Sequence, residues 1–477
     1  MARPVAQQHE GERRGDGPEL KRVMGPGLLL LFVIGDILGT GIYALTGNVA
    51  AEVGGAAWLP FLIAFAVAIV TAFSYLELVT KYPQAAGAAL YTHKAFGIHF
   101  LTFMVCFTVM CSGITSASTA SRAFASNLSA GLSLDLDAAS LGVTGIALGF
   151  MALVAAVNFR GVGESVKANV VLTCVELSGL LIVILVGLYA LSFGDADFSR
   201  VTAFETRGGK SAFLAVTSAT SLAFFAMVGF EDSVNMAEET KDPARHFPKI
   251  VLSGLIITGI IYVLVSIVAV ALVPVGELGE GDTPLLKVVE AGAPGLPLAD
   301  VFPFIAMFAV ANSALINMLM ASRLLYGMAR EQVLPPVLGR VHPRRRTPWV
   351  AIVFTTLLAF GLITIVGEVK HLGGTTSLLL LAVFAIVNVA VLVLRRAPVK
   401  HEHFRAPTAL PVIGAVACAY LVTPLSGKPA AEYKIAGILL GVGAALWALT
   451  WLGNRALRGR RTSLREPREL SGEGPQR

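Results

Sequence analysis

Long apolar stretches separated by short polar connections run through most of the chain. Each approaches the roughly 20 residues that an α-helix needs to cross the hydrocarbon core of a bilayer. They lie at 27–50, 57–79, 98–120, 141–157, 168–192, 212–236, 250–273, 300–322, 348–366, 374–394, 408–424 and 435–452. The pattern predicts an all-α polytopic membrane protein with 12 transmembrane helices. An even number of spans places both termini on the same side of the bilayer.

Positive charge is distributed unevenly between the two sets of connections. If the N-terminus is cytoplasmic, 29 of the 37 lysines and arginines fall in cytoplasmic segments and 7 in the opposite loops, with Arg122 left over near a span end. This asymmetry follows the positive-inside rule. We therefore expect a multi-pass protein of the cell (plasma) membrane with both termini cytoplasmic. The net charge of +6 then reflects topology, and no nucleic-acid partner is expected.

Composition supports the membrane class and argues against an enzyme. The chain is 55% hydrophobic and 14% charged, whereas soluble domains carry roughly 25% charged residues. The motifs His-Glu-x-x-His and Gly-x-x-x-x-Gly-Lys-Ser/Thr are absent from the sequence. The cysteines lie within predicted spans without metal-type spacing, and we expect small buried side chains at Cys106, Cys111, Cys174 and Cys418. We expect no metal, no cofactor and no enzymatic activity, and the sequence shows no dedicated interface for oligomerisation.

The first span contains a Gly-Thr-Gly set, Gly39 to Gly41, within an apolar run. Glycine is a poor helix former, so the helix is expected to break there. Open backbone at membrane depth is tolerated only where it lines a cavity or meets a ligand, because lipid cannot satisfy its N–H and C=O groups. The set therefore indicates either a binding site or a close helix crossing through small residues.

The sixth span is interrupted in a similar way. Its aromatic run is broken by Ala226, Val228 and Gly229, and the acids Glu231 and Asp232 follow. Two glycine-interrupted helices five spans apart are typical of transporters built from inverted repeats. A simple helical bundle gives no reason for such a pairing.

Polar residues in other spans fall on single helical faces. Ser112, Ser116 and Thr119 share a face of the third span, and Ser313 and Asn317 lie in the eighth. Spacing of three or four residues places side chains on the same side of a helix. These faces either line a substrate path or pack against neighbouring helices through small residues.

Glu176 lies inside the apolar run of the fifth span. An ionised carboxylate there costs several kcal/mol unless it is paired, and no lysine or arginine is spaced to meet it on its own helix. The sequence therefore predicts a carboxyl group that is protonated part of the time. Two interpretations remain open: a proton-carrying role, and a permanently protonated structural hydrogen bond.

Five motifs in chain order resemble the amino acid-polyamine-organocation superfamily, and within it the cationic amino acid transporter branch and its bacterial relatives. They run from residue 25 to about 350, each at the corresponding span. The motifs are Gly39-Thr40-Gly41-Ile42-Tyr43-Ala44-Leu45-Thr46-Gly47; Tyr75-x-Glu77-Leu78 with Pro83-x-x-x-Gly87-x-x-x-Tyr91; Ser118-Thr119-Ala120-Ser121-Arg122-Ala123; Phe224-Phe225-Ala226-x-x-Gly229-Phe230-Glu231 followed by Glu238-Glu239-x-x-x-Pro243-x-Arg245-x-x-Pro248; and Arg323-x-x-Tyr326-x-Met328-Ala329-Arg330.

The resemblance implies a leucine-transporter-type fold, with broken helices 1 and 6 in a 5+5 inverted repeat. It divides the chain into a disordered cytoplasmic tail (1–24), a first repeat (25–195), an inverted second repeat (196–396), two accessory helices (397–453) and a cytoplasmic tail (454–477). It also implies a substrate site at the breaks, formed by Ile37, Gly39, Thr40, Gly41, Phe225, Ala226, Val228 and Gly229.

In this site the resemblance implies that the first break holds the substrate's α-carboxylate near Thr40 and Gly41. Backbone carbonyls at Phe225, Ala226 and Val228 would take the α-amino group, with the Phe225 ring as an outer gate. The chemistry agrees independently. Free N–H groups and the positive end of a helix favour a carboxylate by roughly 0.3–2 kcal/mol, and open carbonyls suit an ammonium group.

The sequence departs from the family pattern at two positions. Many proton-coupled relatives have a lysine where this chain has Glu176, and the family residue at Asp36 is commonly apolar. Asp36 is a second protonation site, a counter-ion for a cationic side chain or, the interpretation we favour, a cap for the amides of the broken helix. Glu231 adds charge beside the sixth-span break and is a further candidate for proton coupling.

These observations predict a secondary active transporter that moves amino acids by alternating access. Its partners are a small-molecule amino acid, the proton and the lipid bilayer. Proton-coupled symport or exchange is expected, with cationic or broad-range amino acids favoured over purely neutral ones and polyamines third. The alternative from another class is an ion channel, since broken helices also line selectivity filters.

Overall fold

A computed structural model describes residues 25–82, 87–134, 136–160, 165–193, 196–206, 209–234, 243–330, 333–399 and 401–458. The predicted N-terminal tail, residues 459–477 of the C-terminal tail, and the motif residues Pro83, Glu238 and Glu239 lie outside the described residues. In the part that is described, backbone pairing of the β type is confined to one isolated bridge between Gly54 and Phe204. The described chain is otherwise helices and their connections.

Sixteen α-helices follow one another along the described chain. In the first half they are α1 (Pro26–Ile37), α2 (Thr40–Val53), α3 (Trp58–Lys81), α4 (Gly87–Phe96), α5 (His99–Gly131), α6 (Leu141–Arg160), α7 (Ser165–Phe193) and α8 (Ala212–Ala223). In the second half they are α9 (Pro243–Leu272), α10 (Val275–Leu278), α11 (Pro284–Gly292), α12 (Leu298–Arg330), α13 (Trp349–Ile365), α14 (Val369–Leu394), α15 (Ala409–Val422) and α16 (Ala430–Arg458).

Ten helical segments of the described chain are long and apolar enough to cross a membrane. Two of them combine a helix with the segment beside a break, namely Pro26–Val53 and Ala212–Val234. Two shorter apolar helices, Trp349–Ile365 and Ala409–Val422, accompany the ten. Each of the twelve apolar stretches marked from the sequence falls on one of these segments. The prediction of an all-α polytopic membrane protein is confirmed.

The two longest helices, α5 and α12, pack along each other through small residues. A Cβ atom at Gly113 would lie only 3.3 Å from the main-chain oxygen of Asn317, so the backbones approach closely there. Several hydroxyl side chains of α5 bond within the helix, as Thr119 does by donating to the Thr115 carbonyl at 2.9 Å. Small residues and such internal bonds allow tight helix packing in lipid.

Polar contacts fasten α3 to α14 and the segment that follows it. Within the span, the Ser74 hydroxyl donates to the Asn388 side-chain oxygen at 2.6 Å. At the end of α3, the Arg395 guanidinium donates to both carboxylate oxygens of the buried Glu77, at 2.8 and 2.6 Å.

The expectation that all the cysteines are buried is wrong for Cys174, which is exposed on α7, and Cys106 is half-buried. A thiol is apolar enough to face lipid.

Candidate functional site

The first span breaks at Leu38 and Gly39, between α1 and α2. Leu38 has extended backbone (φ −61°, ψ 140°), and the chain turns into α2 at Thr40. The Tyr262 hydroxyl donates to the Ile37 carbonyl at 2.7 Å and satisfies an oxygen at the end of α1. Gly39, which stands at the N-cap of α2, has no side chain to cap it. The first N–H groups of α2 therefore point out of the helix without intrahelical partners.

The sixth span breaks between Val228 and Gly229. Helix α8 ends at Ala223, one 3₁₀ turn follows (Phe224–Met227), and Val228 is extended (ψ 143°). Gly229 has φ +128°, a conformation that favours glycine. Its N–H donates to the Glu231 carboxylate at 2.9 Å, so this acid is engaged with the backbone of the break.

The two breaks touch each other through their glycines. A Cβ atom on Gly41 would overlap the Cα atom of Ala226, and one on Gly229 would overlap the main-chain oxygen of Asp36. Any side chain at either position would force the two backbones apart. The glycines of the first and sixth spans therefore form one joint between two interrupted helices.

A small cavity of about 30 Å³, with room for a water molecule or two, lies at this joint. Seven of the eight residues predicted to bind substrate line it, and Ala226 adjoins it through Gly41. Its walls are Asp36, Ile37, Leu38, Gly39, Thr40, Gly41, Ser116, Phe225, Val228, Gly229, Asp232, Ser313 and Asn317. The cavity thus presents a free helix end and two carboxyl groups, those of Asp36 and Asp232.

A second small cavity, of about 20 Å³, adjoins the first. Val228, Asp232 and Asn317 line both. Beyond these the second cavity follows α5 and α12 toward Arg330, the end of α12 that the charge pattern assigns to the cytoplasm. The two cavities together extend from the breaks toward that face.

The polar positions predicted to line a path divide between the two cavities. Ser116 and Ser313 line the first, Ser112 the second, and Asn317 both. Thr119 is fully buried, and its hydroxyl bonds within its own helix. Sequence reasoning missed the α14 contribution, Thr376 and Leu380, because no motif was recognised in that span.

Glu176 lies directly behind the first break. It is completely buried, and neither carboxylate oxygen has a hydrogen-bond partner among the described residues. A Cβ atom on Gly39 would lie 3.7 Å from its Oε1 and 2.5 Å from the Ser313 hydroxyl oxygen. The Tyr43 hydroxyl holds the main chain of this helix by donating to the Glu176 carbonyl at 2.6 Å. The carboxyl group therefore faces the break without a fixed partner.

Asp36 and Thr40 add further unpartnered atoms at the same place. Within the described chain, Asp36 Oδ2 and the Thr40 hydroxyl oxygen are buried without a hydrogen bond. Buried polar atoms are usually satisfied, so a cluster of exceptions around one cavity calls for an explanation such as a ligand. The cap proposed for Asp36 remains a prediction.

A cluster of charged side chains lies at the C-terminal end of α2, away from the breaks. Glu52 is buried near the C-terminus of α2, and its two oxygens accept from Lys210 and Lys370, each at 2.7 Å. Lys210 precedes α8, and Lys370 opens α14. Three residues after Lys370, a Cβ atom on Gly373 would lie 3.4 Å from the Phe225 ring. Helix α14 therefore packs closely on the residue predicted to be the outer gate.

Comparison with known proteins assigns the chain to a family. Residues 29–450 match the family model of amino acid permeases. The methylthioribose transporter of Bacillus subtilis is 28% identical over 426 residues, covering 86% of this chain and 89% of that protein. A branched-chain amino acid permease of Bacillus subtilis is 27% identical over 424 residues, with 85% and 88% covered. The chloroplastic cationic amino acid transporter 9 of Arabidopsis thaliana is 28% identical over 358 residues, with 71% and 61% covered. The chain belongs to the amino acid permease family, a family of membrane transporters and not of enzymes.

Proposed function

We propose that this permease moves amino acids by alternating access, as a proton-coupled symporter or exchanger in which Glu176 carries the proton. Its helices form two inverted repeats of five spans, with the breaks of the first and sixth at corresponding positions. The charge asymmetry supports a plasma-membrane protein with both termini in the cytoplasm. The cavities then extend from the substrate site toward the cytoplasmic side.

The observation that carries the proposal is the unpartnered carboxyl group of Glu176. A buried carboxylate without a hydrogen bond or ion pair is strongly disfavoured, and intramembrane acids of this kind mark proton relays. Its Oε1 lies next to the Gly39 break, which the substrate must contact. Protonation of Glu176 would remove the unpaired charge behind the break. Substrate binding and protonation of Glu176 are thereby coupled, because both act at the backbone of the Gly39 break.

The substrate's backbone groups fit the two breaks in one orientation. Its α-carboxylate meets the free N–H groups of α2 at Thr40 and Gly41, where the positive helix end favours an anion. Its ammonium group meets the carbonyls that follow α8, at Phe225, Ala226 and Val228. This polarity leaves the side chain to extend along the cavity.

The cavity wall supports a cationic or broad-range substrate. Asp36 and Asp232 both line it, and two carboxyl groups facing one side chain favour positive charge there. Relatives named for cationic amino acids support the same choice, whereas the name of the branched-chain permease supports a neutral substrate. Neutral amino acids are the second candidate and polyamines the third.

The test is uptake of labelled arginine and leucine into proteoliposomes across an imposed pH step. An inward proton gradient is expected to accelerate uptake by the wild type, and Glu176→Gln is expected to abolish that acceleration while substrate binding is retained. Glu290→Gln, at an exposed position outside the spans, serves as the control and should behave as the wild type.

Three results would contradict parts of the proposal. Uptake by Glu176→Gln that keeps its full pH dependence would exclude a coupling role for Glu176, but it would leave the proposal of amino-acid transport intact. Uptake that prefers leucine in direct competition would overturn the cationic assignment. Currents through single molecules, or uptake that never saturates, would favour a channel instead.

A further inference from the structure

An apolar groove of about 380 Å³ lies between α6 and α13, away from the substrate site. The volume falls within the roughly 300–1,000 Å³ of small-ligand sites. Its walls are Ala155, Ala156, Phe159, Trp349, Ile352, Val353, Thr356 and Leu357. The one hydroxyl group in this set, on Thr356, is taken up by the Ile352 carbonyl at 2.7 Å. The groove therefore offers mainly hydrocarbon contact, with the indole N–H of Trp349 as a polar donor in its wall.

A basic turn closes one end of this groove. The Thr347 hydroxyl donates to the Phe159 carbonyl at 3.1 Å and ties the turn to the last residues of α6. Within the turn, the Arg346 N–H donates to the His342 carbonyl at 2.9 Å, and the His342 N–H donates to the Thr347 carbonyl at 2.9 Å. These bonds fix the backbone of the turn against the groove.

The turn presents three consecutive arginines, Arg344, Arg345 and Arg346, all exposed. The guanidinium of Arg345 lies 4.8 Å from the centre of the Phe159 ring, which itself lines the groove. Among the described residues, none of the three forms a salt bridge. Exposed Arg160 at the end of α6 adds a fourth positive charge beside the same turn.

Trp349 sets the depth of this arrangement in the bilayer. It is partly exposed, lines the groove and lies three residues after Arg346. Tryptophan concentrates at the level of the lipid headgroups. The arginines therefore lie at headgroup level, with the apolar groove running from them into the hydrocarbon core.

We propose that the groove between α6 and α13 binds an anionic phospholipid of the bilayer, with an acyl chain against Ala156 and Val353 and the phosphate on Arg344 and Arg345. Arginine binds phosphate through charge-assisted and bidentate hydrogen bonds. Basic pockets beside membrane helices recognise anionic headgroups in this way. A zwitterionic lipid fills the same groove but gains less from the arginines.

The experiment is native mass spectrometry of the full chain in mild detergent, titrated with phosphatidylglycerol or phosphatidylcholine. The wild type is expected to retain phosphatidylglycerol preferentially. Arg344→Gln with Arg345→Gln should weaken that binding by about tenfold or more, since each basic residue near an anionic surface contributes appreciably. The control pair, Arg396→Gln with Arg405→Gln, removes two exposed charges elsewhere and should stay within about twofold of the wild type.

The groove is tested separately from the charges. Ala156→Trp and Val353→Trp fill it from exposed positions on the two helices, so each should fold normally and lose phosphatidylglycerol binding. Glycerophosphoglycerol, the headgroup without acyl chains, should bind far more weakly than the lipid.

Several results would overturn the proposal. These are retained phosphatidylglycerol binding in the arginine variant or in both groove variants, an equal loss in the control pair, or a free headgroup that binds as tightly as the lipid. Substrate uptake plays no part in these readouts, so they are independent of the proposed transport mechanism.

Discussion

Two buried glutamates of the membrane region differ in how their charge is compensated. Glu52 accepts from two lysines at 2.7 Å, and Lys210 and Lys370 come from different parts of the chain. Glu176 is buried more completely, and both of its oxygens lack a partner among the described residues. A compensated acid can serve as a permanent structural connection. An uncompensated one is costly to keep ionised, and its retention points to function.

The positions of the two acids support this division. The Glu52 cluster joins α2 to the segment before α8 and to the start of α14, so it holds together three elements at the end opposite the cavities. Glu176 lies beside the break between α1 and α2. Glu52 therefore belongs to a cluster at the end of α2 away from the breaks, and Glu176 lies where the helices are interrupted.

The largest effect is expected from Glu52→Leu. Removing one partner of a buried ion cluster leaves two uncompensated lysines, and because these are 30% and 24% exposed we expect a loss of about 2–3 kcal/mol of unfolding free energy. Chemical denaturation in detergent measures it. Combining Glu52→Leu with Lys210→Met and Lys370→Met should recover at least half of the loss, because no stranded charge remains. No recovery in the triple variant would mean that the cluster acts through shape and not through charge.

The sequence predicted the two helix breaks more completely than it predicted the ion cluster of Glu52, Lys210 and Lys370. Glycine in the first and sixth spans is a local signal, and the structure places both breaks within a residue or two of Gly39 and Gly229. The partners of Glu52 are 158 and 318 residues away along the chain, so no local pattern connects them. Sequence patterns identify residues that change the backbone, whereas ion pairs depend on tertiary packing.

The same limit explains the missed walls of the second cavity. Thr376 and Leu380 belong to a span in which no motif was recognised, and only the packing of α14 against α5 gives them a role at the cavity. The acid at Glu176 was identifiable because its charge contrasts with its surroundings. That it has no partner could be established only from the folded chain.

The matched substitution Glu176→Leu is expected to leave stability unchanged or to raise it by up to about 1 kcal/mol, since replacing an unsatisfied buried polar group by an apolar one of similar size removes a desolvation cost. Denaturation under the conditions used for Glu52→Leu gives the comparison directly. A loss similar to that of Glu52→Leu would show that Glu176 has a structural partner, and the contrast between the two acids would disappear.

The smallest effect concerns a third acid, Asp282, which lies between α10 and α11 outside the membrane spans. Burial raises the pKa of its carboxyl group above the usual range, while nearby Arg122 and a 3.3 Å hydrogen bond from the Ser126 hydroxyl oppose the shift. The charge of Asp282 is thus compensated less fully than that of Glu52 and more fully than that of Glu176. It tests whether partial pairing gives partial pH sensitivity.

The sign follows from proton linkage. With a raised pKa, the folded chain holds the Asp282 proton more tightly than the unfolded chain does, so this contribution to stability is present below the unfolded value of about 3.9 and is lost as pH rises through the folded value. We expect the unfolding free energy of the wild type to fall relative to Asp282→Asn across this window, by much less than the change in Glu52→Leu. Asp300→Asn, at an exposed position, is the control. A difference that grows in the opposite direction would mean that Arg122 outweighs burial, and Asp282 would then belong with Glu52 as a fully compensated acid.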